Sequence, residues 1–270
     1  MAKTEDEIDD KAMPLMEHLV ELRNRLMIAV GALLVGFLVC YFFATEIYAF
    51  LVAPLASVLE GENRQMIFTG LAEAFFTELK VAFFAGAFLA FPVMASQLYM
   101  FVAPGLYRNE KKAFLPFLIA TPILFVLGGA MVYYIIMPLA WMFFLGFERP
   151  PEEGMLAIVV MPRVAEYLDL VMKLIFAFGL AFQLPVLLTL LAKAGIVNAA
   201  GLRKRRKYAI VGVFAVAAIL TPPDIISQIG LAVPILLLYE VSIFLASMIE
   251  KRRAERDAEE DEETEATPAE

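Results

Sequence analysis

Leu220-Thr221-Pro222-Pro223-Asp224-Ile225-Ile226-Ser227-Gln228 separates two apolar runs, residues 208–220 and 229–239, of 13 and 11 residues. At 1.5 Å rise per residue these reach only about 20 and 16 Å, short of the roughly 30 Å of bilayer hydrocarbon. The rest of the chain leaves no doubt about its solvent. Of 270 residues 61% are hydrophobic and 19% charged, and mean hydropathy is +0.75, far from a soluble globular domain. Upstream lie four runs of full spanning length, at 26–44, 81–102, 114–144 and 170–192. The short pair therefore decides the fold: it is either one hairpin that crosses and returns, or a re-entrant loop added to four spans.

Positive charge favours the crossing. With six spans, seventeen Lys and Arg fall on one side, the cluster 203–207 and the basic start of the tail among them, and only Arg64, Arg149 and Arg163 on the other. Basic loops stay cytoplasmic, so both termini are expected inside. The predicted architecture is an all-α polytopic membrane protein with spans near 26–44, 76–102, 114–144, 167–193, 207–221 and 226–248, the last two helices short. Residues 1–25 form a cytoplasmic segment containing an amphipathic helix. Residues 249–270, of which 251–270 alone carry nine Asp or Glu, are expected to be a disordered acidic tail. The first 25 residues are charged and no small-residue cleavage pattern follows the first apolar run, so that run is expected to be an uncleaved anchor.

Chemistry-bearing residues concentrate at the cytoplasmic rim. Residues 13–26 read as an amphipathic helix opened by Pro14, with Leu15, Leu19, Leu22 and Leu26 on one face. Glu17 and Glu21 share another face, where like charges at i,i+4 repel unless a cation such as Arg25 shares the site. Two readings stand here, a solvated interfacial helix or a carboxylate placed to receive a basic ligand. Glu110 is the only acid in the first cytoplasmic loop, beside Arg108, Lys111 and Lys112, and either balances them or joins Glu21. A guanidinium can bind a carboxylate through two parallel hydrogen bonds, so two such acids would suit adjacent arginines.

Polar groups inside or beside the spans include Glu73, Glu78, Lys80, Asp169, Lys173, Gln183, Asp224, Gln228 and Glu240. Lys173 with Asp169 one turn earlier reads as a structural i,i+4 pair, and Gln183 as an amide bonding another helix. Cys40 reads as a small buried hydrophobe. His18 is the only histidine, and neither a metal cluster, a catalytic triad nor a phosphate-binding glycine pattern is apparent. Catalysis, a cofactor, a bound metal and a nucleic-acid partner are not expected.

Four motifs occur in order: His18-Leu19-Val20-Glu21-Leu22-Arg23-Asn24-Arg25-Leu26; Phe91-Pro92-Val93 with Gln97, Phe101 and Pro104-Gly105-Leu106-Tyr107-Arg108-Asn109-Glu110; Phe178-Gly179-Leu180-Ala181-Phe182-Gln183-Leu184-Pro185-Val186; and Leu220-Thr221-Pro222-Pro223-Asp224 with Ser227-Gln228. In this the chain resembles the TatC family, the multispanning receptor subunits of the bacterial twin-arginine protein translocase, over roughly residues 13–248. The resemblance implies a glove-like bundle of six helices in the bacterial cytoplasmic membrane. It implies recognition of twin-arginine signal peptides on folded proteins, TatA-type and TatB-type single-span partners, self-association, and transport driven by the proton-motive force. Carried over by motif, Glu21 and Glu110 would receive the paired arginines, with Arg23, Phe101, Leu106 and Tyr107 shaping that surface. Gln183, Gln228 and Asp224 would make intramembrane or partner contacts, and Pro54, Pro92, Pro222 and Pro223 would be sensitive structural positions. Gln183 departs from the family, which commonly has glutamate there, so a mechanism needing a proton on that side chain does not transfer. A proton- or ion-coupled secondary transporter using Asp169, Lys173 and Asp224, and a scaffold without signal-peptide selectivity, are the competing classes. The first lacks a detectable repeat.

Overall fold

A computed structural model describes residues 3–59, 65–106, 115–149, 156–220 and 225–266, with side chains described outside 3–15, 102–106, 115, 226–227, 256–257 and 259–266. The elements are α1 (Lys3–Phe42), α2 (Ala44–Ala56), α3 (Glu73–Leu106), α4 (Leu115–Met131), a π-helical turn (Val132–Ile136), α5 (Met137–Leu145), α6 (Val164–Ala181), α7 (Leu184–Lys193), α8 (Ala199–Leu220) and α9 (Ile225–Ala266). The described residues contain only isolated β-bridges besides these helices, as a chain that must satisfy its backbone within a bilayer requires. They form two compact units, one of residues 1–50 and 70–122, the other of 51–69 and 123–270.

In the first unit α1 packs along α3. The crossing depends on two glycines. A Cβ on Gly36 would lie 2.7 Å from the Gly86 carbonyl oxygen, and one on Gly86 only 2.5 Å from the Phe37 nitrogen. Close backbone approach through small residues is the usual way helices associate where lipid offers no hydrophobic drive. Phe37 then leans on the Phe83 ring, 6.3 Å between centroids. Cys40 is buried and free, as its apolar setting predicts. α3 is tied to α4 by a 3.1 Å bond between the Thr121 and Tyr99 hydroxyls.

The second unit is built around α6, whose Leu168, Val171, Leu174 and Phe178 are buried. Gly128 of α4 lies against the Phe178 carbonyl, where a Cβ would come to 2.6 Å, and Gly179 lies against the Phe125 ring at the same distance. Pro185 has no N–H for the Ala181 carbonyl, so α6 ends at Ala181 and α7 restarts at Leu184. Outside the helices, Ile67 N–H bonds the Pro162 carbonyl at 3.1 Å and Val164 N–H bonds the Ile67 carbonyl at 3.0 Å, while Arg149 and Ile158 exchange backbone bonds of 2.9 and 3.0 Å. Tyr167 donates to the Leu51 carbonyl at 2.8 Å and packs on Trp141 at 5.0 Å.

At the far end of this unit α7 closes on Gly195, whose φ of 75° suits a residue without a Cβ. Ala192, Ala199, Leu202, Ile243 and Ala246 form a small core there. Ala199 N–H, at the start of α8, donates to the Glu250 carboxylate at 2.7 Å, which puts a negative charge at a helix N-terminus. Arg206 pairs with Glu240 at 2.6 Å and the Tyr239 hydroxyl donates to the Leu202 carbonyl at 2.9 Å.

Two expectations are not matched directly, the number of spans by composition and the state of the tail. Among the described residues, five helical stretches are long and apolar enough to cross a membrane: Met16–Phe42, Glu73–Phe101, Pro116–Leu145, Val164–Lys193 and Gln228–Glu255. α8 is helical throughout, but residues 203–207 put five basic side chains in its first half, so it is not a sixth by composition. The second difference is the tail. α9 continues to Ala266 where composition predicts disorder, because Ala, Glu, Lys and Arg are good helix formers and charges such as Lys251 and Glu255, 3.7 Å apart, fall at i,i+4.

Candidate functional site

In the first unit, the start of the apolar part of α1 meets the end of α3. Glu21 is one turn before Arg25, and Arg25 Nη2 donates to Glu21 Oε1 at 3.2 Å. The same guanidinium turns Nη1 toward Gln97 Oε1 and Met100 Sδ of α3, both at 3.4 Å. The pair is neither buried nor free, with side chains 29% and 33% exposed. Contact is end-on, through one nitrogen and one oxygen, so the Glu21 carboxylate keeps capacity for a further donor. One turn toward the N-terminus, the His18 ring stacks on Phe101 at 4.3 Å and 17° between planes. An open aromatic surface thus adjoins a shared carboxylate.

The sequence-predicted residues divide as follows. Glu21 and Phe101 are brought to this one rim. Arg23 is exposed and bonds only its neighbour Asn24 Oδ1, at 3.3 and 3.4 Å, among the described residues. Leu106 is the last residue of α3, but its side chain, all of Tyr107 and Glu110, and Pro222, Pro223 and Asp224 lie outside the described residues. Gln97, His18 and Arg25 were not singled out as site residues by sequence reasoning. The signal for Gln97 was present: an amide four residues before Phe101 at the end of an apolar run, which puts both on one helix face.

The other polar candidates sit elsewhere. Gln183 is the residue before α7, in the break enforced by Pro185, and its Nε2 donates to the Gly179 carbonyl at 3.4 Å. Gln228 Nε2 reaches the Phe214 carbonyl at 3.4 Å and so ties α9 to α8. Pro54 is buried in α2 and its carbonyl accepts from Ser57 Oγ at 2.9 Å. Pro92 is exposed within α3. Lys173 differs from expectation: it is exposed and makes no ion pair with Asp169 or any other described residue.

A family model for the Sec-independent protein translocase protein TatC matches residues 17–234. The chain belongs to the TatC family. A TatC protein of Magnetococcus marinus is 54% identical over 255 residues, which cover 94% of this chain and 91% of that one. TatC of Escherichia coli K12 is 39% identical, with 88% and 89% covered. A crystal structure of the twin-arginine translocase receptor TatC superposes with a TM-score of 0.74 at 38% identity, over 86% of this chain and 99% of that one. The sequence resemblance is thus borne out across nearly the whole TatC length, and the chain is a multi-pass protein translocase component.

Proposed function

We propose that this chain is the signal-peptide receptor of a twin-arginine translocase, with Glu21 and Glu110 as the carboxylates that take the two arginines. One observation carries the reading: Glu21 already holds a guanidinium, that of Arg25, in an end-on contact at 3.2 Å beside the stack of the exposed His18 on the half-buried Phe101. A twin-arginine peptide would supply better-matched guanidinium groups to the same carboxylate. Its apolar stretch would lie along the aromatic surface. Arg23, Leu106 and Tyr107 would complete the rim, Arg23 as an exposed cation that repels peptides lacking the right spacing.

In this reading residues 1–25 are a cytoplasmic segment, 26–248 the membrane domain and 249–270 a cytoplasmic extension, with six crossings in a glove-like bundle in the bacterial cytoplasmic membrane. Both termini are inside. α8 makes the additional crossing, its basic turn at 203–207 remaining at the cytoplasmic surface and its short apolar part drawing the bilayer thin. Gln183, Gln228 and Asp224 contact TatA-type and TatB-type single-span partners, and copies of the chain associate in the receptor complex. The proton-motive force drives export of the folded cargo. Pro54, Pro92, Pro222 and Pro223 hold the loops and helix bends that the assembly needs.

The test is photocrosslinking of a twin-arginine peptide to the full chain in membranes. Glu21→Ala with Glu110→Ala is expected to abolish the crosslink and leave membrane insertion intact, and a twin-lysine peptide should compete poorly against the unaltered chain. A crosslink that persists in the double variant overturns the carboxylate assignment.

A further inference from the structure

α6 has one closed side and one open one. Leu168, Val171, Leu174 and Phe178 are buried, while Glu166, Lys173 and Leu180 are exposed at intervals of seven. Seven residues fall about 20° short of two helical turns, so these three form a strip along the helix. Asp169, Leu170, Phe176 and Ala177 flank it half-buried. At its start Glu166 is matched by Arg163 Nη1 at 2.5 Å. Lys173 is nine residues beyond Val164, about 14 Å along the axis, inside the stretch Val164–Lys193 that qualifies as a span. There its ammonium has no ion pair or hydrogen bond with any described residue.

An exposed ammonium at that depth is expensive and calls for a counter-charge or for water. We infer that the open strip of α6 is a docking face for a single membrane-spanning helix of another polypeptide, one that carries a carboxylate within its apolar stretch and pairs it with Lys173. Charge complementarity selects this occupant. Leu180, seven residues further along the helix and 54% exposed, offers the apolar contact, and the half-buried Ala177 lets a second helix approach closely. Lipid alone would satisfy the Leu180 end and leave the ammonium unmatched. The Lys stem can instead lean toward the N-terminal end of α6 to reach headgroups, and in that case no carboxylate is preferred. The inference rests on the proposed assembly with single-span partners and adds the chemistry of the contact.

The full chain, labelled at its N-terminus, is reconstituted in phosphatidylcholine vesicles at pH 8 with a labelled synthetic helix of roughly 20 Leu and Ala residues. The helix bears one central Glu or, as reference, one central Gln, and association is read by energy transfer. The Glu helix is expected to associate about tenfold more tightly than the Gln helix. Lys173→Met should remove that preference without changing association of the Gln helix, and Lys173→Arg should keep it. Equal association of the two helices with the unaltered chain, or a preference that survives Lys173→Met, overturns the inference. Twin-arginine peptide binding is measured in the same vesicles. Intact peptide binding without the Glu preference sinks this inference alone, and the Glu preference without peptide binding sinks the receptor reading alone.

Discussion

Arg25 occupies Glu21 Oε1 at 3.2 Å while its other nitrogen reaches Gln97 at 3.4 Å, so an incoming guanidinium must displace a resident one. Both side chains are about a third exposed, and solvent screening limits such a pair to roughly 0.2–1 kcal/mol. Arg25→Gln is therefore expected to tighten binding of a twin-arginine peptide by up to about fivefold, with the largest gain at low ionic strength. Fluorescence anisotropy with a labelled peptide would measure it. Weaker binding by the variant would mean that Arg25 orients Glu21 and does not compete for it. The sequence pattern anticipated this sharing of charge, since Glu17, Glu21 and Arg25 recur at i,i+4 on α1. It could not place Gln97 beside Arg25, because that meeting depends on how two helices 72 positions apart in sequence cross.

The α1–α3 crossing itself rests on Gly36 and Gly86, where an added Cβ would come within 2.7 and 2.5 Å of backbone atoms. Backbone cannot rotate aside as a side chain can, so Gly86→Ala is expected to cost roughly 1–3 kcal/mol, the range for overpacking. Gly31, on α1 with Gly36, has nothing within 4 Å of its Cβ position, and Gly31→Ala should be neutral or slightly stabilising through helix propensity. Thermal unfolding of both variants in detergent checks the contrast; equal behaviour would show that the crossing has room to open. At this scale the sequence revealed what composition controls. Apolar length located α1, α3 and α6, while the break before α7 at Pro185 falls inside a run read as one span, 167–193. It did not reveal the π-helical turn at Val132–Ile136, which sits in an apolar run that an unbroken α-helix would also suit. The helix through 249–266 was hidden for the opposite reason. Its acidic composition signals solvation, whereas Glu250 is anchored to the Ala199 N–H in a contact no local pattern announces. The open strip on α6 is equally silent, since most of that helix is apolar all round and only packing decides which apolar side is covered.

The crossing number is a property of the whole chain, and α8 decides it. Its apolar part, residues 208–220, is 13 residues and about 20 Å long, so the helix crosses only if its basic first half sits in the cytoplasmic headgroups or the bilayer thins. Charge favours crossing: without it, the C-terminal end of the stretch Gln228–Glu255, with Lys251, Arg252 and Arg253, and the residues beyond it would lie outside. Single cysteines in a Cys40→Ala background distinguish the two topologies, because Cys40 is buried and the only native thiol. Ala157, Ala200, Ile225 and Ala258 are all exposed and fall outside the apolar cores. With six crossings, an impermeant thiol reagent added to intact cells should label Ala157→Cys and Ile225→Cys, while Ala200→Cys and Ala258→Cys react only after permeabilisation. With five, Ile225→Cys becomes protected and Ala258→Cys becomes reactive, and the two positions exchange behaviour without any change at Ala157 or Ala200. That exchange would overturn the placement of both termini in the cytoplasm and would require the basic residues of the α9 extension to be exported against the charge rule.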